Sequence, residues 1–161
     1  MALTRDSIRT GLSFGLTSGI ITTLGLMVGL HSGTHAKSVI IGAILIIAIA
    51  DAFSDALGIH ISEESENRHT MREIWESTIA TFLAKFFFAS TFLVPVLLIN
   101  LSVAIVVSVF WGLGILCVLT YCLAKEQGTN PSKMIVEHLV IAVIVVVTTH
   151  YLGDWVSSRF G

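Results

Sequence analysis

Residues 86–124 read FFFASTFLVPVLLINLSVAIVVSVFWGLGILCVLTYCLA, 39 positions without one Asp, Glu, Lys or Arg. As one helix they would reach roughly 58 Å, about twice a hydrocarbon core of ~30 Å. The stretch therefore predicts two membrane crossings with a tight reversal between them. Pro95 and the polar Asn100–Ser102 step mark the region of the break. Lipid offers no partner to an open backbone N–H or C=O, and the runs are too long for barrel strands, so each crossing is expected to be a helix.

Working outward, three more spans emerge. Residues 10–30 contain no charge, and about 20 residues suffice to cross. Arg5 and Arg9 precede them as in a signal peptide, but the apolar core of a signal peptide is only ~7–15 residues. A second span starts near Ser38, aliphatic from Val39 to Ala50 apart from Gly42, with Asp51, Asp55 and His60 in its second half. A last one follows the Gly128, Asn130, Pro131 turn. The predicted fold is an all-α integral membrane protein of one domain. Its five helices lie at about 7–30, 38–62, 77–99, 102–124 and 134–156, with a connector at 63–76.

Composition agrees. Of 161 residues, 54% are hydrophobic and 12% charged, with a mean hydropathy of +0.87; a soluble domain carries ~25% charged residues. A net charge of −2 gives no basic footprint for nucleic acid. Cys117 and Cys122 would lie roughly 8–9 Å apart on a helix, too far for a disulfide. Arg5, Arg9, Arg68, Arg72, Lys125 and Lys133 fall on one side of a five-span topology, and Lys37 and Arg159 on the other. The positive-inside bias then predicts a cytoplasmic N-terminus, an outside C-terminus and a multi-pass protein of the cell membrane.

Two carboxylates decide the functional question. Asp51 falls near mid-membrane and Asp55 one turn nearer the cytoplasm. Together they cost about 5–7 kcal/mol on the insertion scale, which a dozen aliphatic neighbours largely offset. Such groups belong in a bundle interior or beside water and are functional candidates. If the helix runs on, Asp51, Asp55, Gly58, Ser62, Glu66, His69, Glu73 and Glu76 share an ~80° sector, with Glu63 and Glu64 beside it. Oxygen ligands with an occasional imidazole suit Mn²⁺ or Fe²⁺. A solvated connector with pairs such as Glu64–Arg68 explains residues 63–76 equally well. Lys85, inside span three, either snorkels inward or neutralises an aspartate. His150 and Asp154, at i and i+4 in span five, are proton-relay candidates or an interfacial pair. Gly11, Gly15 and Gly19 recur every fourth residue, a spacing that lets helices approach closely.

Two stretches carry a family resemblance. Residues 15–29, GLTSGIITTLGLMVG, resemble the first helix of the vacuolar iron transporter family, whose pattern is close to G-x-x-D-G before an apolar stretch with small residues. Residues 50–66, ADAFSDALGIHISEESE, resemble its second helix, matching at Ala50, Ala52, Ser54, Ala56, Gly58, Ser62 and Ser65. Thr81 to Leu98 and Thr149 to Gly153 look like parts of its third and fifth helices. The resemblance implies a homodimeric carrier that moves Fe²⁺ or Mn²⁺ out of the cytosol against protons, with the metal as cargo and no cofactor. There are departures. The family's helix-one aspartate falls on Ser18, its helix-two methionine on Asp55 and its glutamate on Ile59; Asp51 replaces a small residue, and the cytoplasmic domain is reduced to the connector.

The leading expectation is thus a divalent-cation transporter. Asp51 and Asp55 would bind the ion, Ser18 and Thr22 would add oxygens, and Glu63, Glu66, His69 and Glu73 would gather ions at the cytoplasmic mouth. The rival is a non-transporting membrane module whose aspartates pair with Lys85 or hold a dimer together. No nucleophile–base motif points to an enzyme.

Overall fold

The computed structural model describes residues 2–161, with side chains from Asp6 onward; Arg5 of the charge tally lies outside the described side chains. The elements are α1 (Ala2–Thr34), α2 (Lys37–Ile46), a π-helical turn (Ile47–Asp51), α3 (Ala52–Glu66), α4 (Met71–Thr91), α5 (Leu93–Leu98), α6 (Leu101–Glu126) and α7 (Pro131–Phe160). No strand occurs among the described residues. Five stretches are long and apolar enough to cross a membrane: Asp6–Thr34, Lys37–Glu66, Met71–Leu98, Leu101–Glu126 and Pro131–Phe160.

The helices overrun the lengths read from hydropathy because polar residues at their ends cap them. Asn130 accepts hydrogen bonds from the N–H groups of Ser132 and Lys133 at the start of α7, with Pro131 at the first helical position, and Asn100 accepts from Ser102 N–H at the start of α6. The reversal in the uncharged stretch falls at Ile99–Asn100. Pro95 instead sits inside α5; lacking an N–H for residue 91, it coincides with the helical interruption at Phe92.

The expected 63–76 connector is a correction. Only 67–70 leave the helix. Asn67 ends α3 in the left-handed region, φ 52°, its N–H donating to Glu64 C=O. Thr70 and Glu73 then form a reciprocal capping box: Thr70 N–H donates to Glu73 Oε2 at 2.8 Å, and Glu73 N–H to Thr70 Oγ1 at 3.4 Å. The polar stripe is therefore cut at Asn67, and His69, Glu73 and Glu76 do not continue it. The helix also ends before Arg68, so the i,i+4 geometry for Glu64–Arg68 is lost; Arg72–Glu76 makes that pairing instead, at 2.8 Å.

The chain divides into two compact units. One joins α1 up to Gly19 with Leu45–Thr91; the other joins Ile20–Ile44 with Phe92–Gly161. In the first, α3 and α4 form an antiparallel hairpin lined with small residues: Ala52, Ala56, Ala80 and Ala84 are buried. The opening part of α1 lies on α4 at close range. A Cβ on Gly11 or Gly15 would strike the carbonyl oxygen of Ser77 or Thr81. The glycines at every fourth residue of α1 thus meet Ser77, Thr81 and Lys85, also every fourth residue, on α4. In the second unit α6 packs on α7, and Gly29 and Gly153 bring α1 and α7 equally close. Large apolar side chains cover the exterior of both units: Phe53, Phe87, Phe110 and Tyr151 are each more than 60% exposed. In water such surface would drive aggregation; in a bilayer it is ordinary solvent contact.

Candidate functional site

The first unit holds a charged cluster built from three helices. Asp51 closes the π-turn, where Ala52 N–H donates five residues back to Ile47 C=O. Such a turn inserts one residue into a helix and re-aims every side chain after it. Asp55 follows one turn later on α3. Both carboxylates converge on Lys85 of α4, whose side chain is completely buried. Lys85 Nζ lies 2.5 Å from Asp51 Oδ2, 2.5 Å from Asp55 Oδ2 and 2.9 Å from Ser18 Oγ. An ammonium has three donors, and each has an acceptor. Ser18 in turn donates to Asp55 Oδ2 at 2.5 Å, so its hydroxyl ties α1 into the network.

Hydrogen bonding is complete, but charge is not. Two carboxylates face one ammonium, leaving one negative charge. The side chains of Asp51 and Asp55 remain 37% and 20% exposed, against 0% for Lys85. The cation is sealed in and the anions keep an open side. An uncompensated carboxylate in a low-dielectric surrounding is stabilised by a proton, a cation or water.

A second acidic feature lies at the hairpin end of the same unit. Asp6, Glu63, Glu66, His69 and Glu73 line a cleft of about 310 Å³. The α3–α4 hairpin assembles it by folding back, whereas the sequence suggested one continuous stripe. Most of its charges already have partners. Glu63, only 8% exposed, accepts from Ser77 Oγ at 2.5 Å; Glu73 serves the capping box; Glu66 and His69 sit 3.9 Å apart; Asp6 pairs with Arg9 at 3.1 Å.

In the second unit, His150 Nε2 and Asp154 Oδ2 are 3.6 Å apart on α7, and the buried Ser32 hydroxyl shares a short hydrogen bond with His150 Nδ1. Thr22 also belongs to this unit. The structure thus brings Ser18, Asp51 and Asp55 together, and separately Glu63, Glu66, His69 and Glu73. Lys85 is the central partner that the sequence offered only as one of two fates for that residue. Ser77 on Glu63, and Thr78 on His60 at 3.0 Å, had no sequence signal. Among the described residues, no three His, Cys, Asp or Glu side chains stand together as a ready-made metal-ligand group. No family model matches the chain, and no curated protein matches it significantly.

Proposed function

We propose that this chain is a multi-pass carrier of a divalent cation, Mn²⁺ or Fe²⁺, moved out of the cytosol in exchange for protons. One observation carries the reading: two half-open carboxylates share one sealed ammonium, so the cluster is one positive charge short of neutrality. Two neutral states are available to it. In one, a proton sits on one aspartate and Lys85 is charged. In the other, a divalent cation lies between Asp51 and Asp55, and Lys85 has given up its proton. Passing from the first to the second admits one M²⁺ and releases two H⁺, so the exchange is electroneutral and avoids the cost of net charge in a low dielectric. Lys85 is then a tethered stand-in for the cargo. Ser18 supplies an oxygen to whichever cation is present.

The likeness of residues 15–29 and 50–66 to the vacuolar iron transporter helices supports the same reading, with a homodimer as the working form. The acidic cleft would concentrate cations at the cytoplasmic side, and the lysine and arginine distribution supports a cytoplasmic N-terminus and an outside C-terminus in the cell membrane. Reporter fusions at both ends test that orientation; finding both on one side would refute it.

Mn²⁺ flux into proteoliposomes, with proton movement recorded in parallel, tests the carrier. The expected result is about two H⁺ countermoved per Mn²⁺, abolished in Asp51→Asn/Asp55→Asn. Equal flux in that variant would place the pathway elsewhere. A second reading, a non-transporting membrane module, is favoured by the complete burial and saturated donors of Lys85. It predicts no divalent-ion binding by calorimetry at any pH.

A further inference from the structure

We propose that His31, His35, His150 and Asp154 form a second cation site, one for an imidazole-preferring divalent transition metal such as Cu²⁺, Ni²⁺ or Zn²⁺. All four lie in the second unit, remote in sequence from the aspartates of the first. They form two i,i+4 pairs on two helices. His31 and His35 stand at the end of α1, their rings edge to face with centroids 5.2 Å apart. His150 and Asp154 stand on α7. Paired ligands at i and i+4 on one helical face are the spacing that lets a helix chelate a metal. Ser32, between the two histidines of α1, bonds to His150 and ties the pairs together. His31 lies within electrostatic range of both His35 and His150.

The ligand chemistry differs from that of the aspartate cluster. Three imidazoles and one carboxylate suit Cu²⁺, Ni²⁺ and Zn²⁺, whereas carboxylate and hydroxyl oxygens suit Mn²⁺. As the side chains stand, no three converge; His35 and His150 are exposed, and a metal would take His150 through Nε2, the nitrogen 3.6 Å from Asp154, leaving Nδ1 on Ser32. His35 holds the left-handed conformation, φ 51°, that turns the chain at the end of α1, so its exposed ring stands at a helix terminus. Lys37, the nearest lysine in sequence, donates to the carbonyls of Leu97 and Ile99, each at 3.4 Å, and its charge is engaged there.

Paramagnetic resonance of the full chain in detergent, loaded with one equivalent of Cu²⁺, tests the site. Nitrogen couplings from at least two imidazoles are expected. They should vanish in His31→Gln/His150→Gln. In His35→Gln, an exposed change that leaves the helices intact, Cu²⁺ affinity should fall by more than about tenfold, since even outer partners of a metal ligand are worth 10–100-fold. They should persist in His60→Gln/His69→Gln/His138→Gln, which alters the other three histidines, and in Asp51→Asn/Asp55→Asn, which separates this site from the carrier reading. Couplings that survive loss of His31 and His150, or that disappear with the other three histidines, would overturn the proposal.

Discussion

Replacing Lys85 by Met keeps the length and apolar character of the stem and removes the ammonium. The two oxygens it bridges are each 2.5 Å from Nζ, so they lie no more than about 5 Å apart. At an effective dielectric of 20, two like charges at ~5 Å repel by roughly 3 kcal/mol. Removing one partner of a buried ion pair costs about 3–5 kcal/mol by general experience, which agrees. For a chain of this size a loss of ~3 kcal/mol lowers Tm by roughly 6–12 °C. A divalent cation between the two carboxylates offsets that repulsion: at one hundred times its Kd it restores about 2.7 kcal/mol. Lys85→Met in detergent should thus melt early and recover with Mn²⁺. A variant that melts early and gains nothing from Mn²⁺ would refute the reasoning, because the aspartates would then have no use for a replacement cation.

Other expectations follow from the same contacts. Ser18→Asp adds a third carboxylate beside Lys85 and should tighten Mn²⁺ binding by about tenfold or more, one decade being ~1.4 kcal/mol; calorimetry reads it directly. Gly15→Ala places a methyl against the Thr81 carbonyl and should cost about 1–3 kcal/mol, as overpacking does, seen as a lower Tm with Gly42→Ala, whose Cβ meets nothing, as the neutral control. Asn130→Ala removes the acceptor for two N–H groups at the start of α7 and should cost ~1 kcal/mol, measurable by the same melt.

The five long apolar helices were legible because uncharged runs of that length are rare outside membranes, and residues 86–124 were too long for one of them; of the two marks of a break, the Asn100 step and not Pro95 is where the chain reverses. The glycine ridge at Gly11, Gly15 and Gly19 was legible as a close-packing face, though not its partner, because the four-residue rhythm of Ser77, Thr81 and Lys85 mixes residue types. The pairing of Asp51 and Asp55 could be read from helical spacing, and Ser18 from its place in the helix-one pattern. Two things could not be read. The π-turn at Ile47–Asp51 interrupts a run of Ile and Ala with no Gly or Pro to announce it, and Asp51 at its end fits an ordinary helix equally well. The end of α3 at Asn67 lies in a charged stretch whose 3.6-residue periodicity continues past it, so the pattern suggested one long stripe where the chain in fact turns back through a capping box.

The claim on which the account rests is that Lys85 holds the place of a cation the carboxylates can exchange. A structure of the chain crystallised with Mn²⁺, read by anomalous scattering at the manganese edge, examines it directly. One peak bridging Asp51 and Asp55 is expected, with Lys85 Nζ withdrawn from both. Absence of any peak there, with Lys85 still bonded to both aspartates at saturating Mn²⁺, would contradict it.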